Sequence, residues 1–145
     1  MRLRDVGPAD LDAYVRMRCD PVMMAELGGP LPREGIEGKV RRDAGQAAGG
    51  TEWIKMIIPD ETAPDVVAGS VVLWSHEEGG AQLSEIGWMV LPEFQGRGIG
   101  KRAVLDGENG AWLGFVDVCQ VGPGKGCRAT DVEIEFFLLK EKPEP

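Results

Sequence analysis

Residues 84–102, SEIGWMVLPEFQGRGIGKR, constrain the chain more than any other segment. An apolar run ends at Pro92, glycines recur at Gly96, Gly98 and Gly100, and Arg97, Lys101 and Arg102 sit among and after them. Glycine reaches φ > 0 without a steric penalty and lets backbone approach a ligand closely. The first N–H groups of a helix have no intrahelical partners, and the macrodipole adds positive charge there. A strand passing through such a loop into a helix therefore predicts an anion site, whose natural guest is a phosphate or pyrophosphate. Two common phosphate loops do not fit. The Walker pattern needs Ser or Thr after its lysine, and Arg102 follows Lys101. The dinucleotide fingerprint needs G-x-G-x-x-G, and GRGIG lacks that spacing.

The rest of the chain predicts a small α+β domain. Its 145 residues suit a single unit, residues 1–145, and 43% are hydrophobic, a globular composition. The net charge of −8 disfavours nucleic acid as a partner, since that role calls for a basic face. Cys19, Cys119 and Cys127 form no CxxC pair, so neither a disulfide framework nor a metal site is expected. The N-terminal MRLRDVGPADL has no apolar signal core, and no run approaches the ~18 residues of a membrane span. A cytoplasmic domain with free thiols and no membrane partner is the expectation.

MRLRDV alternates as a strand. Residues 9–24 carry Leu11, Tyr14, Val15, Arg18 and Val22 at helical spacing, with Pro8 suited to a first turn. Residues 33–45 read as a second helix with Ile36 and Val40 on its buried side. Strands are expected at 51–59, 66–76 and 83–91, with EEGGAQ as a hairpin connection. The glycine segment opens a helix to about Val104, and further strands are expected at 113–121 and 129–139. In the last of these, Val132, Ile134, Phe136 and Leu138 share one face. This order implies a mixed, mostly antiparallel sheet flanked by helices.

The pattern Q-x-x-G-x-G, present as Gln95, Gly98 and Gly100 after EIGWMVLPEF, resembles the acetyl-coenzyme A signature of the GNAT superfamily of N-acetyltransferases. Upstream, LRDVGPADLDAYVRM and GGPLPREGIEGKV resemble that family's first strand and first two helices. Downstream, LGFVDVCQV and ATDVEIEFFLL resemble its closing strands, and the closest branch is the one containing ribosomal-protein N-acetyltransferases. The resemblance implies acetyl-CoA as co-substrate, an amine acceptor and no metal. It implies that backbone groups of Trp88, Met89 and Val90 hold the pantetheine arm. Amides of Gly96, Arg97, Gly98, Ile99, Gly100 and Lys101 would hold the pyrophosphate, beside Gln95, with Arg102 reaching the same phosphates or the 3′-phosphate, or facing solvent.

Acetyl transfer requires a neutral amine, so a base must take the ammonium proton, often through water. Glu85 is the candidate, near where the family often places a glutamate base. By strand alternation it shares a face with Leu83, Gly87 and Met89, opposite Ile86, Trp88 and Val90. A solvent-facing strand glutamate is the alternative. His76 lies beside Glu77 and Glu78 at an expected strand end, where an exposed turn histidine is the simpler reading. Cys119 has no histidine near it in sequence to activate it as a nucleophile.

The sequence departs from the family after the glycine-loop helix. Family members carry a further strand and helix there, whereas only LDGENGAW separates Val104 from Leu113. A strand plus helix would need roughly two dozen residues more. One wall of the acetyl-CoA cleft and the usual general-acid tyrosine would go with them, and Tyr14 is no obvious replacement. Three readings stay open: a shortened inactive remnant that binds acyl-CoA or dimerises, a homodimer that restores the wall by strand exchange, and an internally truncated chain.

Overall fold

The computed structural model describes residues 1–25, 27–50, 52–105, 118–119 and 136–140. The first strand, β1 (Arg2–Asp5), leads through a 3-10 turn at Pro8–Asp10 into α1 (Leu11–Arg18). The Asp10 carboxylate fixes this entry. It accepts from both terminal nitrogens of Arg4 at 2.8 Å and from the Gly7 amide at 2.8 Å. Asp10 is buried, and three donors offset the cost of removing its charge from water. That pairing holds the Arg4 guanidinium above its ordinary pKa.

The first helix stops short of the expected residue 24. Pro21 has no amide proton to continue the ladder and biases Asp20 away from helical backbone. The Asp20 carboxylate then accepts from the amides of Val22 and Met23, at 2.8 and 2.9 Å. Met23 and Met24 are buried all the same, through turns rather than helix. The second helix, α2 (Ile36–Ala48), starts and ends three residues later than residues 33–45, after a 3-10 turn at Arg33–Gly35. Ile36 and Val40 are buried as the spacing predicts.

Three strands follow: β2 (Trp53–Ile58), β3 (Gly69–Glu78) and β4 (Ala81–Val90). The hairpin between β3 and β4 is tighter than EEGGAQ suggests, with only Gly79 and Gly80 between the strands, at φ 59° and 80°. Positive φ at both loop residues matches the twist of the flanking strands, which explains the Gly-Gly pair. The sheet is completed by β5 (Val118–Cys119) and β6 (Phe136–Lys140), in the order β1-β2-β3-β4-β6-β5 with every pairing antiparallel. Here β6 lies directly on β4, from Leu83↔Lys140 to Gly87↔Phe136. The remainder of the expected strands at 113–121 and 129–139, the LDGENGAW segment apart from Leu105, and Cys127 lie outside the described residues. The architecture is the α+β class expected, a sheet with helices on both faces.

The helix α3 (Ile99–Leu105) covers the face opposite α1 and α2. Tyr14, Met17, Ile36 and Val40 pack on Ile54, Met56 and Met89, while Ile99 and Ala103 pack on Val71, Trp88 and Val90. Two close approaches require glycine. A Cβ on Gly69 would stand 1.9 Å from the Met89 carbonyl oxygen, so β3 meets β4 there only without a side chain. A Cβ on Gly100 would stand 2.6 and 2.7 Å from the Trp88 indole.

Between the helices, the Tyr14 hydroxyl donates to Asp43 Oδ2 at 2.7 Å, and Lys39 approaches the same oxygen at 3.2 Å. Burial, then the bond to Asp43, pushes the Tyr14 phenol well above its ordinary value. Because the folded value exceeds the unfolded one, this contribution to stability is complete below the unfolded pKa of about 10 and is lost only at higher pH. Tyr14 is the only tyrosine, so alkaline difference absorbance reads it directly. Phenolate absorbance is expected to rise together with loss of structure by circular dichroism, not as a separate step near pH 10. Gly100→Ala is expected to destabilise the fold by about 1–3 kcal/mol, because overpacking against a buried ring outweighs the helix gain of ~1 kcal/mol. Gly45→Ala, in α2 with nothing within 4 Å of the new methyl, is expected to stabilise by roughly 0.5–1 kcal/mol. Denaturant midpoints of the two variants check both signs.

Candidate functional site

At the C-terminal end of β4 the chain turns through Leu91 and a 3-10 turn at Pro92–Phe94 into the glycine loop. The Leu91 amide donates to the Ala68 carbonyl at 2.8 Å, so the turn starts from the edge of β3. Gln95 Nε2 donates to the Val90 carbonyl at 2.9 Å, tying the loop back to the strand that feeds it. Gly96 and Gly98 take φ values of 74° and 70°, the left-handed region where a side chain would be strained. Helical hydrogen bonding begins with the Arg102 amide donating to the Gly98 carbonyl at 3.0 Å.

The three glycines therefore divide their work. Gly96 and Gly98 shape the loop, whereas Gly100 is absent from the positive-φ set and is required by its contact with Trp88. Arg97, Lys101 and Arg102 are exposed, with the Arg97 guanidinium 5.7 Å from the centre of the Phe94 ring. Ile99 is buried and anchors the start of α3. Trp88, Met89 and Val90 are buried too, the first and third toward α3 and the second toward α1 and α2. Their backbone pairs with β3 through Val71, Ser70 and Gly69.

A cleft of about 190 Å³ opens on the α1 and α2 side, against Ser70 and Val72 of β3 and Gly87 and Met89 of β4. Arg18 and Leu27 form its other wall. Register pairs Ser70 with Met89 and Val72 with Gly87, and Trp74 with Glu85 one step further along the same face. Glu85 thus holds a backbone position on the face that floors the cleft, between Trp74 of β3 and Leu138 of β6. His76 pairs with Leu83 near the far end of the same hairpin. Sequence reading passed over Arg18 and Ser70. The available signal was a cation within the apolar stripe of α1 and a hydroxyl at an inward position of β3.

A second cleft, about 280 Å³, lies between the start of α1 and the turn after β4. Two of the four carboxylates that line it are engaged internally, Asp10 by Arg4 and Glu93 by Arg16. The Arg16 hydrogen bond holds the Glu93 carboxyl below its usual range. No group of three potential metal ligands occurs among the described residues, and none of their helices is long and apolar enough to cross a membrane.

Neither curated proteins nor solved structures return a match to this chain. One family model does match, over residues 1–138, and it spans the first strand, both helical layers and the glycine loop. The chain belongs to the acetyltransferase (GNAT) domain family, whose members use acetyl-CoA as co-substrate.

Proposed function

We propose that this domain, residues 1–145, transfers an acetyl group from acetyl-CoA to a primary amine on a small molecule or a protein N-terminus. Family membership over residues 1–138 carries the reading, and the built glycine loop at the end of β4 supports it. Amides from Gly96 to Lys101 would hold the pyrophosphate, with Gln95 bracing the loop and Arg97, Lys101 and Arg102 adding positive charge. Backbone groups of Trp88, Met89 and Val90 would hold the pantetheine arm and polarise the thioester carbonyl.

Glu85 would take the proton from the ammonium, directly or through water, so that the free amine attacks the carbonyl carbon. The new C–N bond forms as the C–S bond breaks, and the coenzyme leaves as its thiolate, to be protonated from solvent. Within the family, the sequence resemblance would favour the branch containing the ribosomal-protein N-acetyltransferases. A cytoplasmic setting accords with free thiols.

A second reading is a remnant that binds acyl-CoA without turnover, favoured by the short sequence between Val104 and Leu113. A homodimer by strand exchange belongs to the same observation, with the β6 segment of a second copy on β4. Calorimetry with acetyl-CoA is expected to show binding in the micromolar range, and silence at millimolar ligand would overturn both readings. Glu85→Gln is expected to lower kcat by about 10²–10⁴-fold and to remove the acidic limb of the pH–rate profile. An unchanged profile would remove Glu85 from the base role.

A further inference from the structure

The geometry points to a carboxylate-binding subsite in the cleft beneath α1, formed by the Arg18 guanidinium and the Ser70 hydroxyl, which selects a small amine acceptor that carries its own carboxylate. The inference deepens the acetyl-transfer reading and rests on it for the identity of the guest as acceptor.

Two unmatched polar groups carry it. Ser70 is 3% exposed, yet its hydroxyl makes no hydrogen bond among the described residues. Buried hydroxyls are nearly always paired, since an unpaired one forfeits its hydration without compensation. Arg18 is half-buried on the opposite wall and forms no ion pair or side-chain hydrogen bond among the described residues. Two of the carboxylates nearby are already used. Asp43 is held by Tyr14 and Lys39, and Asp20 caps the turn at Val22 and Met23. Burial pulls the guanidinium below its ordinary pKa, and the partly compensating attraction of Tyr14 and Asp43 does not amount to a contact.

A carboxylate answers both groups. It accepts a two-pronged bond from the guanidinium fork and has lone pairs left for a hydroxyl. Its single charge matches the single cation, where a phosphate dianion would call for more donors. The other walls, Leu27, Val72 and Met89, are apolar, and about 190 Å³ accommodates a small aliphatic body. The floor includes Gly87 and Met89, the first next to and the second within the stretch assigned above to the acetyl donor, so an anchored carboxylate would hold a nearby amine beside the donor strand.

Three probes share one side chain: L-leucine, leucinamide and 3-methylbutan-1-amine. Calorimetric titration of the whole chain, with and without saturating coenzyme A, reads each dissociation constant. L-leucine is expected to bind about 10-fold or more tightly than either probe lacking the carboxylate. Arg18→Gln is expected to reduce that preference below about 2-fold, and Ser70→Ala to reduce it by about 3-fold, with coenzyme A affinity unchanged in both. Circular dichroism verifies folding of each variant, and Arg18→Lys, which keeps the charge without the fork, stands in if Arg18→Gln does not fold. Equal binding of leucine and leucinamide, no binding of any probe, or a preference that survives loss of Arg18 would overturn the subsite. A parallel loss of coenzyme A affinity in Arg18→Gln would assign Arg18 to the donor and overturn it as well. Failure of the transfer reading looks different: acetyl-CoA neither binds nor is consumed while the leucine preference persists.

Discussion

The contact between Gly100 and the Trp88 indole sets the distance between α3 and the sheet, and much of the site depends on that distance. With no side chain at residue 100, the helix lies against β4 closely enough for Ile99 and Ala103 to reach Val71 and Val90. The loop of Gly96 and Gly98 is thereby held at the strand end, and Gln95 closes it with a hydrogen bond to Val90. A bulkier residue would lift the helix and the loop together, since packed interiors transmit strain rather than absorb it.

The strand β4 serves two layers at once. Trp88 and Val90 face α3, while Gly87 and Met89 face the layer of α1 and α2. Alternation along one extended segment thus puts the glycine loop's support on one face and the cleft on the other, one residue apart in sequence. Gly69 sharpens the arrangement: its missing Cβ lets β3 run against the Met89 carbonyl, and Ser70 follows at once on the cleft side. A packing requirement and a candidate binding residue are consecutive positions of one strand.

Much of this was legible in the sequence, because periodicity and glycine placement report local backbone demands. The strand–loop–helix at residues 84–102, the burial of Ile36 and Val40 and the hairpin after β3 all follow from them. What was not legible depends on groups far apart in the chain. Helix α1 read as longer because Val22 continues its spacing, but Pro21 and the Asp20 carboxylate end it. Gly100 read as part of the anion loop because its reason, the indole of Trp88, lies on another element. Arg18 and Ser70 carry no motif at all. Their significance comes from the lack of a side-chain partner among the described residues, and that is visible only once α1 is laid across β3 and β4.

The charge pattern gains a second layer from the same arrangement. A net charge of −8 creates a field that draws in ammonium groups of any kind, with little discrimination among them. A half-buried guanidinium opposes a simple cation and favours a molecule that brings an anion with its amine. Attraction over long range and selection at contact would then be separate devices, the first set by the surface and the second by an arginine with no ion pair among the described residues, across the cleft from one buried hydroxyl. For a zwitterion the long-range pull on the ammonium and push on the carboxylate largely cancel, so selection would rest on the contact. For a diamine they conflict, because its second cation would meet Arg18 across the cleft.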